Sequence, residues 1–593
     1  MALKNKIVFV ICFLCGFIYV DPHVRLVTYK AISTTGQILN IRNKIDFQLL
    51  PKAVYAQGQS LINLSPGFDW SLPPNTQREP YSGLIGEDDS VLNSVHNSFV
   101  IVRWDEANPQ PDVYQFERFA KDLARVAPRK VLVRLEVNSA CETPPWALEK
   151  LRSTQDKSLV FWDKNYLKVL RPFIQQFAQK FAANPQIIGV QLGIADGEYA
   201  GSCDDFDNKD GWGEFWMSPE VIAESEQNFG FNPQLFETQS KAIIDLYATA
   251  FGAYKYKLAY TNFGPFSWDD IAIPYNEAML RLAHYAQNLG LGNRDGGTEN
   301  WLDLLDRIYG NQLMSQPDGT CSLGFDENFA RQIQGRYWGS ENEFYGKYAY
   351  VINKHGPYNN QPYRFLISSL RALQMRRNFI SISETSMANM DHPVYRTQAF
   401  LTYLNKVLGK TIENTPDAFI LLGERLVKPS QLADFAEQPC VRDQQERVAI
   451  RSFDRWIVDR SQSQAALKVR MPANEHYWAQ DFYLPDGVDY EYAARQAKQF
   501  KFDLNDELAQ KRCHNGCQVA VKVTFKDSLK TSLQVQTAEG LSQAMTTSGD
   551  QKIKTATFVL TSRFQNLLKG SDLMLLSHQG EIPLLLLRIN FIE

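Results

Sequence analysis

From about residue 98 to residue 412 the chain alternates short apolar runs with amphipathic stretches of helical spacing. No other feature constrains the fold as much. The runs 98–103 (SFVIVR), 130–137 (KVLVRLEV) and 186–192 (QIIGVQL) are nearly continuous in apolar residues, as strands covered on both faces must be. Between them, residues 114–127 and 164–183 carry apolar positions at the period of a helix. Further candidate strands lie near 256–262, 288–293, 335–341 and 378–383, and one more is needed before residue 90. Eight strand–helix units predict a closed (β/α)8 barrel over residues 61–412. An open, doubly wound sheet is the alternative.

The pattern changes after residue 412. Apolar runs at 418–422, 465–469, 518–525, 532–536, 555–560 and 583–589 read as strands separated by turns, with a helix expected only at 490–499. An all-β sandwich of jelly-roll type is therefore expected over residues 413–593. Two domains also suit the length, since 593 residues exceed what one core organises.

Lys4 and Lys6 precede an apolar run from Ile7 to Val20, which predicts a signal peptide or membrane anchor over residues 1–22 and a linker over 23–60. Six cysteines remain outside that leader: Cys141, Cys203, Cys321, Cys440, Cys513 and Cys517. An even number suits disulfides and a secreted or extracytoplasmic location, with a membrane tether through the leader as a variant. Cys513 and Cys517 flank an Asn-Gly turn that a hairpin disulfide would close, and Cys141 and Cys203 each follow a predicted barrel strand. A net charge of -4 gives no reason to expect nucleic acid. Neither a P-loop, a dinucleotide fingerprint, a serine-hydrolase elbow nor a metal-ligand spacing is found, so no cofactor and no metal are expected.

Catalytic groups of a barrel lie at the carboxyl ends of its strands. After the fourth predicted strand comes Gly193-Ile-Ala-Asp-Gly-Glu198-Tyr199, and after the seventh Arg336-Tyr-Trp-Gly-Ser-Glu341-Asn-Glu343. Two carboxylates across one rim are what glycoside cleavage needs: one to protonate the leaving oxygen, the other to attack the anomeric carbon or activate water. Glu341 and Glu343 share parity on a strand, and Glu341 stands nearer its end. Arg103, Asn138, Asn262 and Arg294 fall at rim positions suited to sugar hydroxyls, or to internal salt bridges, and Asp295 falls near a strand end where it suits substrate hydroxyls or an Asp-Gly turn. Trp338 is the expected stacking platform for a sugar ring, with loop packing as its alternative. Glu136, inside the third strand, reads as a buried ion-pair partner.

Val102-Arg103-Trp104 with Pro109-Gln-Pro-Asp-Val-Tyr114-Gln-Phe116 resembles the second-strand segment of clan A glycoside hydrolases of β-galactosidase type. Val190 to Tyr199 is similar to the end of their fourth strand, where a glutamate before tyrosine is the acid/base. The resemblance implies that Glu198 is the acid/base, Glu341 the nucleophile, and cleavage of an oligo- or polysaccharide retaining. One position departs from it: Gly197 stands where that clan usually has asparagine, and a Gly-Glu pair there also resembles β-amylase, which inverts. A barrel that binds carbohydrate without turning it over, in extracellular polysaccharide assembly or adhesion, is the second reading.

Overall fold

A computed structural model describes residues 62–86, 95–154, 158–192, 219–262, 271, 273–295, 309–316, 318–342, 361–382, 391–427, 440–442, 444, 446–461, 464–470, 490–564 and 570–592. The leader, Cys203 and the loop carrying Glu198 lie outside them, as does Glu343.

The first strand, β1 (Ile62–Pro66), is followed by β2 (Gly83–Gly86), β3 (Asn97–Arg103), β4 (Lys130–Glu136), β5 (Ile187–Gln191), β6 (Leu258–Asn262) and β7 (Gly292–Asp295). A hairpin, β8 (Asn311–Ser315) and β9 (Cys321–Phe325), precedes β10 (Trp338–Glu341) and β11 (Phe379–Ile382). Strands β2 to β7 with β10 and β11 pair in parallel and close on themselves, β11 bonding back to β2. The chain is thus a (β/α)8 barrel, with helices such as Tyr166–Phe181 and Pro233–Phe251 packed outside. The barrel floor is filled. Ile85, Leu132, Ile188, Ala259, Tyr337 and Phe379 form an interior cluster, and the Tyr337 ring stacks on Phe379 at 4.9 Å. Gly189 permits this, because a Cβ there would stand 2.5 Å from the Tyr337 ring.

Alternation along β7 and β10 decides which side chains enter the barrel. Tyr337, Gly339 and Glu341 share one parity, and Tyr337 belongs to the interior cluster. Trp338 and Ser340 therefore face the helices, as do Asn293 and Asp295 on the neighbouring strand, which bond to Arg377 outside the barrel. Arg294 faces inward, its guanidinium 5.9 Å from the centre of the Phe99 ring.

Residues beyond the barrel form two packed sheets. The larger runs β1–β22–β18–β24–β12–β13–β9–β8 with β15 and β16 alongside, where β12 is Asp417–Val427, β13 Val448–Arg455, β15 Ala465–Arg470, β16 Tyr490–Ala497, β18 Cys517–Lys526, β22 Ile553–Ser562 and β24 Ile582–Ile592. The smaller is built on β17 (Gln499–Leu504), β19 (Ser532–Thr537) and β23 (Leu573–Ser577). Period-two patterning divides the larger sheet's faces. Ala418, Ile420 and Leu422 pack toward the smaller sheet, and Phe419 and Leu421 toward barrel helices Gln361–Gln374 and Thr397–Val407. The expected helix at 490–499 is instead a strand pairing β15 and β24, where alternation of buried and part-exposed residues prevails over helix propensity. β1 and the β8–β9 hairpin are hydrogen-bonded into this sheet from within the span read as barrel.

Cys321 and Cys440 are disulfide-bonded to each other, as are Cys513 and Cys517, and Cys141 is also disulfide-bonded. The Cys513–Cys517 bond joins the end of helix Asp506–Cys513 to the start of β18, not two strands of a hairpin. Among the described residues no helix is long and apolar enough to cross a membrane.

Candidate active site

The interior face at the carboxyl ends of the strands carries Arg103, Arg134, Glu136, Gln191, Arg294 and Glu341, in a barrel whose floor is apolar. Glu341 ends β10. Its Oε2 lies 3.0 Å from Arg294 Nη2, and its side chain is 11% exposed. The guanidinium is itself buried at 2%. An adjacent cation favours the charged form of a carboxylate and orients its second oxygen.

A second acidic group was not anticipated. Glu142, in the single turn Ala140–Glu142 that follows β4, is buried and hydrogen-bonded to Glu136. Burial raises its pKa well above the usual carboxylate range, and the bond and charge of Glu136 raise it further, against the pull of Arg103 and Arg134. The sequence signal for the cluster was Arg134 and Glu136 at alternate positions of an otherwise apolar strand, which places both on the barrel's interior face. Arg103, at the end of β3, donates from Nε and Nη2 to Asp105 at 3.1 and 2.9 Å, and that bond raises its pKa.

Three expected site residues are placed otherwise. Trp338 begins β10 at the floor end of the strand and faces outward, 1% exposed, donating to the Met375 carbonyl at 3.2 Å beneath Arg377. It is a core tryptophan, because the parity that carries Glu341 inward carries Trp338 outward. Asp295 is fully buried in the wall and ion-paired with Arg377, with Ser340 Oγ 3.3 Å away. It holds β7 to the turn before β11, on the outer side of the barrel wall. Asn138 is buried too, and its Oδ1 accepts from Tyr166 Oη at 2.9 Å. Asn262 ends β6, paired with Asp295 on β7. Glu198 and Glu343 lie outside the described residues. Among the described residues, no group of three or more His, Cys, Asp or Glu is placed to hold a metal ion.

No protein-family model matches the chain, and no curated sequence does either. Solved structures do. It is similar to a cold-adapted β-galactosidase from Rahnella sp. R3 at 12% identity and a TM-score of 0.31, over 57% of this chain and 58% of that one. A GH5_18 protein from Bifidobacterium longum subsp. infantis gives 12% and 0.30 over 52% and 70%. Endo-glycoceramidase II from Rhodococcus sp. gives 10% and 0.29 over 82% and 99%. Overlaps of this size add nothing to the strand ladder, and the barrel stands on its own hydrogen bonds.

Proposed function

We propose that the chain is a retaining glycoside hydrolase acting on an oligo- or polysaccharide, with Glu341 as nucleophile and Glu198 as general acid and base. One observation carries the reading: a carboxylate at the carboxyl end of the seventh barrel strand, inward-facing and held by a buried arginine in a mouth above an apolar floor. A nucleophile must stay ionised at neutral pH, and the Arg294 guanidinium favours that form. In this scheme the Glu341 oxygen forms a bond to the anomeric carbon while Glu198 protonates the departing oxygen. Glu198 then takes a proton from the water that breaks the glycosyl-enzyme ester. Arg103 sits at the same rim to meet sugar hydroxyls. The disulfides agree with an oxidising compartment, and the leader with export.

The same Arg294–Glu341 contact also favours a second reading, in which the guanidinium fills the place of a substrate and the barrel binds carbohydrate without cleaving it. A panel of nitrophenyl glycosides and extracellular polysaccharides separates the two, with product stereochemistry followed by NMR. Turnover by the parent chain, lost in Glu198→Gln and in Glu341→Gln with folding intact, is the expected result. Undiminished turnover in Glu198→Gln ends the assignment, and binding with no turnover by the parent chain selects the second reading.

A further inference from the structure

The opposite mouth of the barrel carries a different surface. The turns that lead into the eight strands hold Arg78, Arg129, Lys130, Lys255, Lys257, Arg336, Arg376 and Arg377, and among their described residues a single carboxylate, Glu79. Glu79 is taken by Lys410 at 2.6 Å and Asn414 at 2.8 Å. Arg376 and Arg377 are consumed by Glu327 and Asp295. Lys130, Lys257 and Arg336 bond instead to main-chain carbonyls: Lys130 to Pro185 at 2.9 Å, Lys257 to Ala182 and Asn184 at 2.9 and 2.8 Å, and Arg336 to Gln287 and Leu291 at 2.8 and 3.2 Å. Such bonds fix the cations in place, and among the described residues no carboxylate is ion-paired with Lys130, Lys257 or Arg336. The like charges press on one another: burial and then Lys130 lower the pKa of Lys257, and burial, Arg78 and Arg129 lower that of His96.

Tyrosines stand among these cations. Tyr81, Tyr254 and Tyr256 are 61%, 38% and 42% exposed. The ammonium of Lys130 lies 5.3 Å from the centre of the Tyr81 ring, and that of Lys257 lies 5.5 Å from Tyr254. Lys255 Cε is 3.5 Å from where a Cβ of Gly290 would stand, so the set continues to the turn before β7. We infer that this amino-terminal mouth, with Tyr81, Tyr254 and Tyr256 set among Lys130, Lys255 and Arg336, is a docking surface for an acidic polysaccharide. Exposed rings offer flat apolar faces to pyranose C–H groups, and cations held by carbonyls meet carboxylates without the entropy cost of ordering long side chains. Anchoring in a lipid surface would call for aliphatic side chains to insert, and among the described residues of these turns the large apolar side chains that are exposed are tyrosines. The surface lies across the barrel from Glu341 and stands independently of the hydrolase reading.

Calorimetric titration of the full chain with polygalacturonate tests this, with neutral dextran and phosphatidylglycerol vesicles in parallel. Polygalacturonate should bind, more weakly as salt rises, and dextran should not. Lys255→Glu and Tyr81→Ala should each weaken binding by about tenfold. Tyr81→Ala alters an exposed ring and decides the matter even if Lys255→Glu fails to fold. No binding, binding indifferent to both substitutions, or capture of vesicles in place of polygalacturonate each overturns the inference.

Discussion

Arg294 and Glu341 are the residue-scale test of the proposed active-site mouth, because each sits where water is scarce and each is the other's counter-charge. Glu341→Gln should lower turnover about a thousandfold or more by removing the proposed nucleophile. It should also cost about 3 kcal/mol of stability, because it takes the Glu341 counter-charge from a guanidinium that stays buried. The double change Arg294→Met with Glu341→Leu should recover most of that stability and none of the activity. Thermal melts of the three variants check this, and a single variant that melts like the parent would show that the contact is unimportant in solution. Glu142 makes a pH prediction. Its folded-state pKa is raised by burial and by Glu136, so the folded chain keeps a proton that the unfolded chain releases above about pH 4. This group therefore favours folding at low pH, and its contribution falls as pH rises toward the folded-state value. Glu142→Gln mimics the protonated form. It should flatten that part of the stability–pH curve, measured by urea unfolding across the range; an unchanged slope would mean that Glu142 is not protonated in the folded chain. The place of Glu341 at a strand end was legible, because a strand was expected near 335–341. Glu142 was not, because a carboxyl in a short turn shows no periodicity.

At the scale of elements, parity separated what could be read from what could not. Eight alternating apolar runs located the barrel strands, yet which residues of a run point inward depends on the partners, which a lone sequence does not show. Trp338 and Asp295 were placed at the rim for that reason, one residue out of phase with the inward set. Tyr490–Ala497 was similarly ambiguous, since eight residues rich in Ala and Tyr suit a helix until β15 and β24 supply the ladder on both sides. The β8–β9 hairpin gives the element-scale prediction. It leaves the barrel between β7 and β10, pairs in parallel with β13, and is held by Cys321–Cys440 across 119 residues. A loop that long confers roughly 4–5 kcal/mol by restricting the unfolded chain. Cys440→Ser should lower the melting temperature while leaving the barrel strands paired, and reductant should then have little further effect on this bond's share. A Cys440→Ser chain as stable as the parent would show that the antiparallel β8–β9 ladder and Arg451–Asp318 already hold the hairpin.

The molecule as a whole is joined by its sheets more than by its chain order. β1 lies on β22 through five residue pairs, Ile62 to Pro66 against Phe558 to Lys554, so the segment that enters the barrel is an edge strand of the other domain. Asp69 reaches Lys522 at 2.9 Å, and Arg588 reaches both the Asp69 carbonyl and Asp417 at 2.8 Å beside Tyr403. The apolar face of the larger sheet is the cover for two barrel helices. A cut at residue 412 would strand β1, leave the β8–β9 edge unpaired and bare that face, three conditions under which an isolated barrel aggregates. Residues 61–412 expressed alone should therefore be insoluble or molten, and the full chain should unfold in one transition that near-ultraviolet circular dichroism and tryptophan fluorescence report at the same midpoint. Arg588→Leu tests the coupling in the intact chain. It leaves Asp417 buried without its guanidinium, at a cost of about 3–5 kcal/mol, and because that carboxylate also accepts from Tyr403 of a barrel helix the loss should lower both probes together. Two separated midpoints in the parent, or a shift in one probe alone in Arg588→Leu, would mean that barrel and sheets fold as independent units despite the strands they exchange.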